Sequence, residues 1–254
     1  MTANEYVISV IHKHALPAKI DQYTEQTVIT PLKRLVTAWA GDCLCEIKLS
    51  GSRAKGTAID IATDLDLFIS LSSTTSNSLS EIYDSLYTRL VSSGIKARKQ
   101  NVSIGVTYGG KKVDLVPGKR QSQYGNDHSL YKRKSDSWTK TNIDTHISNV
   151  IHSGRQNEIL ALKIWRANHG IEFPSILLET LTIEALKGCS TTATAENVLF
   201  MLKYLQDHIC TIRVLDPANT NNVLSNDLSA YEKQLIAKQA EKSRSDPYWE
   251  QIIW

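Results

Sequence analysis

The sequence predicts a mixed α/β (α+β) fold, a mixed sheet with flanking helices followed by a lobe of helices, on three observations. Runs at 45–49, 65–71 and 102–117 are rich in β-branched and apolar residues and alternate in part with period two, and turn signals follow them, Gly51 after the first and the polar run Ser72 to Ser78 after the second, as for strands. Between them lie segments whose apolar residues recur at three- and four-residue steps, the mark of amphipathic helices. From 142 onward the pattern is mostly helical. The expected division is therefore a sheet-bearing lobe over 1–141, including an N-terminal helix that spans both lobes, and a helical lobe over 142–254.

Val7, Ile8, Val10 and Ile11 predict a short opening helix. Pro17 suits the first turn of a longer one, whose apolar face is Ile20, Tyr23, Val28, Leu32, Leu35, Val36 and Trp39. Cys45, Ile47 and Leu49 alternate with Glu46 and Lys48 and lead into Gly51-Ser52, where glycine permits a tight turn and close backbone approach. Leu65 to Leu71 reads as the next strand. The polar run Ser72 to Ser78 reads as a loop ending in a helix cap, and Leu79, Ile82, Tyr83, Leu86 and Leu90 as the helix it caps. Lys96, Arg98 and Lys99 suit an edge strand, because charges discourage further pairing. Gly109-Gly110 between two β-rich runs is a hairpin signal that places Asp114 on a strand. The stretch 119–140, polar and basic around Tyr124, Tyr131 and Trp138, reads as a long loop whose cations and aromatics suit phosphates and bases, or simply anchor it. Ile159, Leu162 and Trp165, a helix opened by Pro174, and Val198 to Ile212 mark the helical lobe.

Two features carry chemistry. Backbone N–H groups and the Ser52 hydroxyl at the Gly51 turn offer donors to the oxygens of a triphosphate. Asp64 and Asp66 lie two apart, so on a strand both point one way. Like charges beside an apolar sheet are costly unless a cation offsets them, and Mg²⁺ takes carboxylates together with substrate phosphates. Asp114 supplies a third acid, and three acids on neighbouring strands can hold two ions.

Gly51-Ser52, a gap of eleven residues, Asp64-Leu65-Asp66 and the later Asp114 resemble the signature of the DNA polymerase β nucleotidyltransferase superfamily. Gly51-Ser52 with Gly56-Thr57, Val113 to Pro117, Leu160 to Trp165, Pro174 to Glu179 and Val214 to Val223 resemble its branch of oligoadenylate synthetases and bacterial cGAS/DncV-like nucleotidyltransferases (CD-NTases). The resemblance implies a nucleotidyltransferase catalytic lobe over 1–141. It also implies an enzyme that joins nucleoside triphosphates, without a template, into a short cyclic or linear oligonucleotide messenger in bacterial antiphage defence. Two Mg²⁺ or Mn²⁺ ions are implied, bridged by Asp64 and Asp66, with Asp114 holding the ion that activates the attacking hydroxyl. By the same resemblance Lys163 and Ser175 bind the triphosphate, joining Gly51 and Ser52 of the turn; Tyr131, from the basic and aromatic residues of its loop, is a candidate base platform.

Two other readings stay open. A terminal transferase of the CCA-adding kind adds nucleotides to an RNA or DNA end, and a non-catalytic relic of the fold only binds nucleotides. Length and composition, 254 residues with 41% hydrophobic and 22% charged, are ordinary for a globular protein. The net charge of +3 is too mild to argue for nucleic-acid binding by itself. No apolar run approaches the roughly 18 residues of a membrane span, and no signal-like N-terminus is present, so the expected setting is cytoplasmic, without a membrane partner. Cys43, Cys45, Cys189 and Cys210 lack paired zinc spacing and are expected as thiols, which argues against DNA sensing through a zinc insertion. Base choice, linkage, activator and oligomeric state are not legible.

Overall fold

The chain opens with α1 (Ala3–His14), capped by Thr2 in a reciprocal box with Glu5. Residues 1–62 and 64–254 are described by the computed structural model; Thr63 lies outside the described residues. The second helix does not start at Pro17. It begins as α2 (Gln22–Thr24), where the Asp21 carboxylate accepts the Thr24 N–H at 2.8 Å, so a side-chain cap sets the boundary. A π-wound turn over Glu25–Ile29 then leads into α3 (Thr30–Ala40) and turns Val28 and Ile29 into the core.

β1 (Leu44–Ser50) runs into the short α4 (Gly51–Lys55), and β2 (Leu65–Leu71), α5 (Leu79–Ser92), β3 (Ala97–Lys99), β4 (Ile104–Tyr108) and β5 (Lys111–Arg120) follow. The strand order is β1-β2-β5-β4-β3, with β3 at the edge as its charges predict. β2 and β5 are parallel neighbours; β1–β2, β4–β5 and β3–β4 are antiparallel. Gly109 and Gly110 have φ of 54° and 74°, the left-handed pair that a tight hairpin turn requires. A register shift between Leu44 and Glu46 leaves Cys45 exposed instead of inward, as a bulge does to simple alternation.

One face of this sheet is apolar. Leu65, Leu67, Ile69, Val113, Leu115 and Ile104 pack with Leu32 and Val36 of α3 and Tyr83, Leu86 and Leu90 of α5. The stretch expected as a long loop is instead largely a β-hairpin, β6 (His128–Lys132) and β7 (Ser137–Thr141), with β6 pairing the end of β5. Its strands are short and polar, and Asp136 turns the chain in a left-handed conformation, so no apolar alternation announced it.

The remaining elements are α6 (Ile143–Ile151), α7 (Gln156–Asn168), α8 (Ser175–Ala185), α9 (Thr194–His208), the ribbon β8 (Leu215–Asp216) and β9 (Asn219–Val223), α10 (Ala230–Ser245) and α11 (Trp249–Ile252). Two compact units result. One is Pro17–Lys55 with Thr63–Ile147; the other is Ser148–Trp254 together with Met1–Leu16 and Gly56–Ala62. Val7, Val10 and Ile11 of α1 thus join the helical core, beside Trp165, whose indole N–H donates to Ser243 Oγ at 2.9 Å. Among the described residues no helix is long and apolar enough to cross a membrane.

On the sheet face opposite the apolar core, His128 stacks edge-on against Phe68 with centroids 4.8 Å apart. Its Nδ1 lies 2.8 Å from the Asn126 carbonyl, and its Nε2 lies 2.8 Å from Ser70 Oγ. Arg120 Nε donates to the same Ser70 oxygen at 3.0 Å. These partners suit a neutral ring with its proton on Nδ1, accepting the Ser70 hydroxyl. Burial, the largest influence, and the nearby Arg120 charge hold the His128 pKa below its ordinary value. A depressed folded-state pKa means the contribution is present above the unfolded value of about 6.5 and is lost as pH falls through the folded one. The melting temperature is therefore expected to drop more between pH 7.5 and pH 5 in the native sequence than in His128→Gln. Equal drops in the two proteins would contradict this role.

Candidate active site

Four residues on four adjacent strands lie in one row across the polar face of the sheet. Ser50 of β1 is in register with Asp66 of β2, Asp66 with Asp114 of β5, and Asp114 with Gly105 of β4. Residues in register share a face, so the two carboxylates sit side by side, one strand spacing of about 4.8 Å apart in the backbone. Leu65 and Leu67 beside Asp66, and Val113 and Leu115 beside Asp114, point into the apolar core and lock that face in place.

Asp64 lies immediately before β2 and is exposed, so the expected same-strand pair becomes one acid on the strand and one at its mouth. Burial, and next the charge of Asp64, raise the pKa of Asp114; hydrogen bonds from Ser103 and Gln100 and the charge of Arg98 act in the opposite direction. Gln100 Nε2 donates to Asp114 Oδ1 at 2.9 Å, and Ser103 Oγ reaches Oδ2 at 3.3 Å. Asp64, Gln100 and Asp114 share a cleft of about 290 Å³ with Lys96, Arg98 and Lys112.

Gly51 and Ser52 open α4 directly after β1, with Gly51 at φ 61°. A side chain at Gly51 would place its Cβ 1.8 Å from Asp66 Oδ2. The turn therefore closes onto the Asp66 carboxylate as only glycine allows, and Ser52 stands half-buried beside it.

Lys163 and Ser175 belong to the helical unit. Lys163 is 2% exposed; its ammonium lies 2.6 Å from Glu179 Oε1 and donates to Thr57 Oγ1 at 2.9 Å and to the Thr57 carbonyl at 3.2 Å. Ser175 is the first residue of α8, and its Oγ accepts Arg166 Nη1 at 3.1 Å. Arg166 and Ser175 also line a separate cavity of about 560 Å³ with Glu172, Asp227 and Glu232. Tyr131 packs edge-on against Tyr83, centroids 5.6 Å apart, and its hydroxyl donates to Asp136 Oδ1 at 2.7 Å. Trp138, its cross-strand partner on β7, is 59% exposed.

Sequence reading missed three residues. Glu179 stands in an apolar run of α8, and an acid so placed needs a partner, which was the available signal. Gln100 and Ser103 carried none, because a Gln and a Ser in a loop are ordinary.

The four cysteines are unpaired thiols, half-buried or exposed. Among the described residues, no three His, Cys, Asp or Glu side chains gather closely enough to cage a metal by themselves. The donor set still fits a hard cation, because Asp64, Asp66 and Asp114 offer only carboxylate oxygens and Mg²⁺ commonly completes its shell with substrate phosphates.

No protein-family model matches the sequence, and no curated protein does. Solved structures do match the fold. Escherichia coli MS115-1 CdnC with ATP superposes with a TM-score of 0.79 at 19% identity, covering 98% of this chain and 96% of that one. The CD-NTase CdnG of Bradyrhizobium diazoefficiens, in complex with GTP, gives 0.75 at 12% identity over 99% and 95% of the two chains. The Cid1 poly(U) polymerase, as a mutant bound to MgATP, gives 0.68 at 11% over 98% of each. The chain has the fold these nucleotidyltransferases share.

Gly51→Ala tests the turn. With Asp66 displaced by the new Cβ, turnover is expected to fall by about 10²-fold or more, the usual scale for ångström-level misplacement. An active Gly51→Ala protein would show that the carboxylate and the turn are not coupled.

Proposed function

We propose that this protein is a metal-dependent nucleotidyltransferase that joins nucleoside triphosphates, without a template, into a short cyclic or linear oligonucleotide messenger. The observation that carries the reading is the registered pair Asp66 and Asp114, with Asp64 at the strand mouth and a glycine turn closed onto Asp66. Such an arrangement gathers negative charge where cations and phosphate oxygens must be organised. Phosphoryl-type transfer needs mainly positioning and charge stabilisation, so no catalytic histidine is required.

In this proposal Asp64, Asp66 and Asp114 would hold the two Mg²⁺ or Mn²⁺ ions, Asp64 and Asp66 toward the triphosphate and Asp114 toward the acceptor hydroxyl. Such ions would supply Lewis-acid stabilisation at the attacking hydroxyl and the leaving pyrophosphate. The turn at Gly51 and the Ser52 hydroxyl hold the triphosphate by hydrogen bonds. Ser175 Oγ accepts from Arg166, which leaves its hydroxyl proton to donate to a phosphate oxygen. Lys163 must share or exchange one of its bonds to Glu179 and Thr57 to reach a phosphate oxygen. Without that exchange, its effect runs through Thr57, two residues beyond α4. The CD-NTases among the structural neighbours support the messenger reading, through a CdnC solved with ATP and a CdnG with GTP. The likeness to Cid1 poly(U) polymerase favours a second reading, addition of nucleotides to an RNA or DNA end.

Incubation with labelled triphosphates and Mg²⁺ or Mn²⁺, with and without tRNA or single-stranded DNA, separates the readings. Short primer-free products are expected, and they should disappear in Asp64→Ala, Asp66→Ala and Asp114→Ala. Label only on the long polymer would replace the messenger reading with the terminal-transferase one. No turnover of any kind would leave a nucleotide-binding relic.

A further inference from the structure

The loop between β3 and β4 is built around Asp114. Tyr83 of α5 is fully buried, and its hydroxyl reaches the carbonyls of both Gln100 and Ser103 at 2.9 Å. Gln100 N–H donates to the Ser103 carbonyl at 3.0 Å, closing the loop on itself. From the hairpin side, Arg133 Nε donates to the Gln100 carbonyl at 3.0 Å and Arg133 N–H to the Asn101 carbonyl at 2.8 Å. The backbone of Gln100 is thus held from two directions.

That clamp aims one side chain. The Gln100 amide is oriented by Ser103, whose hydroxyl lies 3.0 Å from Oε1, so its Nε2 is the atom turned toward Asp114. Gly105 makes the approach feasible. It sits opposite Asp114 in the row of registered residues, and a Cβ there would stand 2.5 Å from Gln100 Nε2 and 3.1 Å from Asp114 Oδ1. Any larger residue would fill the path of the amide.

We infer that Gln100, clamped by Tyr83 and admitted by Gly105, is the positioning residue that fixes the carboxylate orientation of Asp114. The inference rests on the reading of Asp114 as a carboxylate of the active site. Its chemistry follows from the donor type. A carboxylate offers about four lone-pair directions over two oxygens; the Gln100 amide takes one on Oδ1, and the single Ser103 proton, given to Gln100 Oε1 at 3.0 Å, is shared at most weakly with Oδ2 at 3.3 Å, so the amide is the group that sets the rotation. A neutral amide does this without cancelling the negative charge. An arginine or lysine in its place would form an ion pair and compete with a cation for the same oxygens.

The test compares Gln100→Met, which keeps reach and removes the amide, with Gly105→Ala, which displaces the amide while leaving Gln100 in place. Outer-sphere partners of this kind are commonly worth 10- to 100-fold in metal affinity or activity. Both variants are expected to bind Mn²⁺ about tenfold more weakly in the presence of a non-hydrolysable nucleoside triphosphate, read by electron paramagnetic resonance against the Mn²⁺–nucleotide signal without protein. Both should also lower kcat with KM for the triphosphate and the melting temperature nearly unchanged. Mn²⁺ affinity and kcat within twofold of native in both variants would overturn the inference. So would a loss that only follows a large fall in melting temperature. Asp114→Asn, measured alongside, separates the two levels: if it stays fully active the site reading itself fails, whereas if it is inactive and both variants behave as native only the positioning role fails.

Discussion

The constraint on which the rest depends is the register of β2 against β5, which sets Asp66 beside Asp114 on one face of the sheet while their strand neighbours are sealed into the apolar core on the other. A slip of one residue would bury both acids and expose the leucines, a change the packing of α3 and α5 forbids. The carboxylates are therefore held together by hydrophobic burial, against their own repulsion. Burial and the charge of Asp64 already push the Asp114 pKa upward. Charge confined in this way, with neutral Gln100 as the donor to Asp114 Oδ1, is costly unless a cation offsets it.

Around that row the two ends of the site are shaped by what is missing. Gly51 has no side chain, so a turn rich in donors closes onto Asp66; Gly105 has none, so a neutral amide reaches Asp114. The helical unit organises charge differently. There Lys163 and Glu179 form a buried pair with Thr57, and deleting one partner of such a pair typically costs about 3–5 kcal/mol, because the other is left charged in the interior.

Much of the sheet was legible because its signals are local. The alternation of Leu65, Leu67 and Ile69, the cap at Ser78, the charged edge at Arg98 and the Gly109-Gly110 hairpin each depend on a few neighbouring residues, and each element stands where those residues place it. What was not legible depends on distant partners. The β6–β7 hairpin draws its support from β5 and from Ser70 and Phe68, none of which its own polar sequence reveals. Lys163 looks like a surface lysine until Glu179, sixteen residues on, is seen beside it. The grouping of Met1–Leu16 and Gly56–Ala62 with Ser148–Trp254 likewise rests on distant contacts that no local signal announces. Within the candidate site, types and spacing pointed to three acids and a glycine turn, while the hold on Asp114 by Gln100 and Ser103 emerges only from the folded loop.

The claim at the centre of this account is that Asp64, Asp66 and Asp114 act as one cation site completed by a triphosphate. Crystals grown with Mn²⁺ and a non-hydrolysable nucleoside triphosphate, with anomalous scattering measured for manganese, test it directly. The account predicts anomalous peaks about 2.0–2.3 Å from oxygens of these carboxylates and of the bound triphosphate, the range for hard divalent cations of this size. A triphosphate bound with its manganese away from all three acids would contradict it.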